Sequence, residues 1–147
     1  MEPNVRAAAL LRQSVRLNRL DDRVAVVEAI VADADGELPF VETGSATGHV
    51  ARGSAAQTRK RTVGFTRLIA DAAARGMCLV KIDVEGFETT LLARLPDRSV
   101  RRPRLVLVVE LHALGFNSFG DPRRCVAMLR DGGAIVRRPD GVPMDAF

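Results

Sequence analysis

Three short, nearly continuous apolar runs punctuate the chain: VAVVEAIVA at 24–32, MCLVKID at 77–83 and RLVLVVE at 104–110. Each has the length and the branched-residue content of a strand covered on both faces. Elsewhere apolar residues recur at helical spacing. Leu10, Leu11, Val15 and Leu17 supply the apolar face of a helix from about Val5 to Leu20, with Asn4 as its N-cap. Thr66 suits the start of a helix that runs to Arg75 and stops at Gly76. FETTLLARL (87–95) predicts a helix ending before Pro96, and DPRRCVAMLRD (121–131) one with Pro122 in its first turn and Gly132-Gly133 past its end. ELPFVE (37–42) predicts a short edge strand, where Pro39 is tolerated. AIVRR, the turn PDG and VPM predict a closing hairpin. Residues 43–58, rich in Gly, Ser, Thr and Ala and without periodicity, predict a flexible insertion or a lid. They contain no complete phosphate-cradling pattern. Strands alternating with helices predict one α/β domain over 1–147, a mostly parallel sheet wrapped by helices.

Composition narrows the setting. Apolar residues make up 47% of the chain and charged residues 27%, ordinary for a globular domain. No run approaches the about 18 apolar residues of a membrane span, and the start MEPNVR carries no secretory pattern. The expectation is a cytoplasmic protein without membrane contact, with Cys78 and Cys125 reduced and structural. The net charge is +4, with basic clusters at Arg59-Lys60-Arg61 and between Arg98 and Arg104. Trp and Tyr are absent, so base stacking has little to work with and nucleic acid is not the expected partner.

The acids fall at strand ends. Asp33 follows the run 24–32, Asp83 ends the run 77–83, and Glu110 ends the run 104–110 with His112 two residues on; Glu2 lies where a strand entering the first helix would end. In open parallel sheets, ligands bind outside the carboxyl ends of the strands, so these positions predict one acidic pocket. Glu85 and Glu88 also fit as plain first-turn acids of the helix 87–95. Asp83 and Glu110 sit at the ends of buried-type strands, where an unpaired carboxylate is costly. Two carboxylates and a histidine can bind a divalent metal, act as general base on a hydroxyl, or hold ribose hydroxyls. An acidic pocket without a phosphate loop suits a ligand with ribose hydroxyls and positive charge, such as S-adenosylmethionine.

The stretch KIDVEGFE (81–88) resembles the signature strand-turn of the FkbM-type S-adenosylmethionine-dependent methyltransferases. EPN (2–4), VVEAIVADADGELPF (26–40) and RLVLVVELH (104–112) are similar to further segments of that family. The resemblance implies a Rossmann-like methyltransferase sheet. It implies that Glu2 holds the cofactor's ribose hydroxyls, with Asn4 beside it and Asp33 near the adenine. Asp83, Glu85, Glu110 and His112 would line the methyl-transfer end, with His112 as base and Asp83 the next candidate. The acceptor would be a hydroxyl of a sugar, polyketide or other small molecule. Val5 replaces a common second proline, and Phe65-Thr66 stands where the family carries Leu-Asp. The family's glycine-rich loop has no counterpart, which implies a sheet lacking its first, central strand and the helix after it. The expectation is a fragment with impaired cofactor binding, or a non-catalytic remnant completed by a partner chain or oligomer.

Overall fold

A computed structural model describes residues 1–42, 48–50, 58–84, 86–95, 105–112 and 121–144. The chain divides into two compact units, Met1–Gly64 and Phe65–Phe147. Both mix helices with small sheets, so the α/β class holds.

The first unit opens with helix α1 (Val5–Leu17). Asn4 caps it as expected, its Oδ1 accepting the Ala7 N–H at 3.0 Å. The buried positions are Ala7 and Ala8, whereas Leu10 and Leu11 are exposed and Leu17 is 76% exposed. The helix therefore turns small residues inward instead of the leucine face that the spacing predicts. Four strands follow: β1 (Ile30–Ala32), β2 (Gly36–Glu42), β3 (Gly48–Val50) and β4 (Thr58–Gly64). Their sheet order is β1-β4-β2-β3. β1 pairs with β4 in parallel, and β2 pairs antiparallel with both β4 and β3, so this sheet is mixed and not mostly parallel. Only the end of the predicted strand 24–32 has a ladder partner. Upstream, Val27 C=O accepts the Glu2 N–H at 2.9 Å.

β2 lies inside the sheet and not at its edge. β3 pairs only with Phe40–Glu42, so Pro39 has a described neighbour, Arg59, on one side alone, where a residue without an N–H fits. The predicted insertion contributes strand β3, and the unforeseen β4 begins at its end; the remainder, 43–47 and 51–57, lies outside the described residues. The basic cluster of β4 is answered across the ladder: Arg59 pairs with Glu37 at 3.1 Å and Lys60 with Glu42 at 2.7 Å. Ile30, Ala32, Phe40 and Val63 are among the unit's buried residues.

The second unit contains α2 (Phe65–Ala74), β5 (Cys78–Ile82), α3 (Glu88–Leu92), β6 (Leu105–Val109) and α4 (Pro122–Asp131). α2 starts at Phe65, so Thr66 lies in its first turn, and the helix is closed by Gly76 at φ 131°. Asp121 caps α4, accepting the Arg123 N–H at 2.9 Å. β5 and β6 form a two-stranded parallel sheet with Cys78 opposite Leu105 and Ile82 opposite Val109. The packed side holds Ile69, Ile82, Phe87, Leu91, Leu92, Val126 and Leu129 among its buried residues. On the other face Leu79 is 70%, Val106 49% and Val108 48% exposed, so these strands are not covered on both sides as their composition predicts. The closing hairpin is reduced to one bridge, Arg137 to Pro143. Among the described residues no helix is long and apolar enough to cross a membrane.

Candidate functional site

The register of β5 on β6 sets the geometry. Ile82 stands opposite Val109, and the Glu110 N–H donates to Ile82 C=O at 3.0 Å, carrying the pairing one step past the strands. Asp83 and Glu110 therefore leave neighbouring parallel strands at the same level. Side chains alternate along a strand, so Lys81 shares its face with Asp83, and His112 shares its side with Glu110.

Three described carboxylates stand around the imidazole. His112 Nδ1 lies 2.9 Å from Glu88 Oε1, while Nε2 faces Asp83 Oδ1 at 3.7 Å and Glu110 Oε1 at 3.8 Å. The ring is partly buried. On the solvent side the Lys81 ammonium pairs with Asp83 Oδ2 and lies 3.7 Å from Glu110 Oε2. The hydrogen bond to Asp83 raises the Lys81 pKa above its ordinary value, and the charge of Glu110 adds to the effect.

Glu88 organises the site. It is 1% exposed, and its Oε1 accepts the N–H groups of Val84 at 3.0 Å and Gly86 at 3.1 Å besides facing the imidazole. Gly86 holds φ at 95°, a backbone region that other residues enter only with strain, and this bend aims both N–H groups at the carboxylate. A carboxylate accepts only, so the Glu88 contact places a proton on His112 Nδ1. In the neutral ring Nε2 is then the acceptor, directed toward Asp83 and Glu110. The arrangement is a buried carboxylate orienting an imidazole whose far nitrogen meets two exposed carboxylates. One oxygen of Asp83, one of Glu110 and a ring nitrogen of His112 all lie within 4.8 Å of one another, the residue types and spread of a set that can hold a cation.

The sequence reading brings Asp83, Glu110 and His112 together, and so does the structure. It misses Glu88 as the partner of His112. The one signal available was that Glu88 opens a helix directly after a glycine turn. Glu85 lies outside the described residues. Glu2, Asn4 and Asp33 belong to the first unit. There Glu2 Oε1 accepts the Asn4 N–H at 2.8 Å, and Asn4 is 4% exposed with its Oδ1 engaged in the helix cap. Asp33 is exposed just after β1 and takes part in an interaction within the chain. No family model, curated protein or solved structure matches this chain.

Proposed function

We propose that this chain is a methyltransferase domain that uses S-adenosylmethionine to methylate a hydroxyl of a sugar, a polyketide or another small molecule, in a cytoplasmic setting. The observation that carries the reading is the Glu88–His112 pair at the carboxyl ends of two parallel strands. The resemblance of KIDVEGFE to the FkbM-type enzymes supports it, and the fold proposed with it is a Rossmann-like methyltransferase sheet in which β5 and β6 are neighbours. The carboxylates of Asp83 and Glu110 already stand against one cation, the Lys81 ammonium. A pair that attracts positive charge in this way fits a sulfonium ligand.

S-adenosylmethionine, when bound, supplies a methyl group on a positively charged sulfur, which leaves as a neutral thioether. The chain's own residues would position the acceptor and take its proton. His112 Nε2 would accept the proton of the substrate hydroxyl as that oxygen is methylated. The proton would stay on His112. Glu88 holds the ring in the tautomer that can accept, and its negative charge stabilises the imidazolium that forms. Asp83 would stand at the methyl end, beside His112.

Methyl transfer from labelled S-adenosylmethionine to a panel of hydroxyl compounds tests the proposal. His112→Ala should lower kcat/KM by about 10² to 10⁴ while cofactor binding is retained. Arg59→Ala, in the first unit, should leave the rate unchanged. An active preparation whose His112→Ala variant matches wild type, or a wild-type chain that does not bind the cofactor, would overturn it. One observation favours a second reading, a non-catalytic domain completed by a partner chain: the exposed apolar row of Leu79, Val106 and Val108 on a sheet of only two described strands. That reading requires partner binding that His112→Ala leaves intact and Val106→Lys abolishes.

A further inference from the structure

We infer that Asp83, Glu110 and His112 form a binding site for a divalent first-row transition metal ion, and that Lys81 is the built-in cation which competes for it. The inference does not depend on methyl transfer. It rests on how the side chains divide their atoms. Lys81 engages Asp83 Oδ2 and approaches Glu110 Oε2, whereas the imidazole faces the opposite oxygens, Asp83 Oδ1 and Glu110 Oε1. The carboxylates therefore present one oxygen each to the lysine and one each to the space in front of Nε2.

That space has nearly the dimensions of a coordination sphere. Ligands about 2.1 Å from a tetrahedral ion stand about 3.4 Å apart. From Nε2, Asp83 Oδ1 at 3.7 Å and Glu110 Oε1 at 3.8 Å each need only a few tenths of an ångström of closure, and all three atoms already lie within 4.8 Å of one another. Both carboxylates are exposed and sit on flexible side chains, so the movement is cheap. Three protein ligands leave further positions open to water or to a substrate oxygen.

The third ligand is already oriented. A metal-binding histidine usually donates its other ring N–H to a carboxylate, which sets the tautomer and raises the basicity of the ligating nitrogen. Glu88 does this: it is buried, tied to two backbone N–H groups and 2.9 Å from Nδ1. The nitrogen in the donor set selects the class of ion. Imidazole with two carboxylates suits zinc, cobalt, manganese or iron in the divalent state better than calcium or magnesium, which take oxygen ligands. A bound ion would occupy the lone pair of Nε2. If the methyltransferase reading is right, metal loading and proton acceptance at His112 exclude one another, and added metal inhibits.

The test is titration of the full chain with Co²⁺, followed by calorimetry and by the visible absorption of the bound ion. We expect one ion per chain, with affinity lowered at least tenfold by Asp83→Asn, by Glu110→Gln and by His112→Ala, and unchanged by His49→Ala. Lys81→Met should raise the affinity several-fold, because it removes the competing ammonium; this gain cannot come from misfolding. Binding that survives the three ligand substitutions, absence of binding by wild type, or a Lys81→Met variant that binds no more tightly would each overturn the inference. Calorimetric binding without methyl transfer would count against the enzyme and leave the metal site standing.

Discussion

Replacing Glu88 is the perturbation whose cost the structure specifies most fully. One oxygen, Oε1, serves the Val84 N–H, the Gly86 N–H and the His112 ring. Glu88→Ala removes the acceptor and orphans three donors. A buried donor left unpaired costs about 1–3 kcal/mol, and a bond to a charged group contributes about 1.5–3 kcal/mol. Val84 is only partly buried, so water can rescue its N–H, and the losses do not add in full. Two buried donors at about 1–3 kcal/mol each, discounted for non-additivity, give an expected cost of about 3–4 kcal/mol. Glu88→Gln keeps a carbonyl oxygen for the two N–H groups and loses the charge, so about 1–2 kcal/mol is expected from the same per-bond values. Amide hydrogen exchange reads the turn directly and does not require both units to unfold together. The Gly86 amide should exchange roughly a hundred- to a thousandfold faster in Glu88→Ala, and by about tenfold in Glu88→Gln. Exchange within threefold of wild type in Glu88→Ala, or equal acceleration by both variants, would refute the reasoning.

Other expectations follow from single contacts. Gly86→Ala forces a side chain into φ 95° and should destabilise the second unit by about 1–3 kcal/mol, read as faster exchange across the turn from Asp83 to Glu88. Asn4→Ala removes the cap from α1 and should cost about 1 kcal/mol, seen as increased fraying of Val5–Ala8. Burial raises the pKa of the Cys125 thiol, and Asp121 adds to the effect, so less thiolate is present at any given pH. Alkylation at pH 8 should therefore modify the half-buried Cys78 well before Cys125, with mass mapping as the readout; equal rates would contradict the packing of α4.

What was legible in the sequence was local. Asn4 and Asp121 announce their helices because a cap is a short-range hydrogen bond, and Gly76 announces a stop because few other residues turn the backbone that way. The strands at Cys78–Ile82 and Leu105–Val109, and the acids just beyond them, follow from composition and from strand direction. The misses are tertiary. β4 carries the basic cluster Arg59-Lys60-Arg61, which gives no strand signal until Glu37 and Glu42 of β2 stand opposite Arg59 and Lys60. The leucine spacing of α1 marks an apolar stripe without saying what covers it, and the alanines are what the first unit buries. Pro39 marks an edge by its missing N–H, but a short neighbour such as β3 satisfies the same requirement inside a sheet. Glu88 has the position of an ordinary first-turn acid. Only the bend at Gly86 and the return of β6 show that its carboxylate points back to His112.

The central claim is that Glu88 holds His112 as an acceptor at Nε2. The chain has two histidines, His49 and His112, so a long-range proton–nitrogen correlation spectrum of the ¹⁵N-labelled protein, with His49→Ala for assignment, observes the ring directly. The account predicts that whenever the His112 ring is neutral its proton sits on Nδ1, and that this preference is lost in Glu88→Ala. A neutral ring with its proton on Nε2, or the mixed tautomers of free imidazole in the wild-type chain, would contradict it.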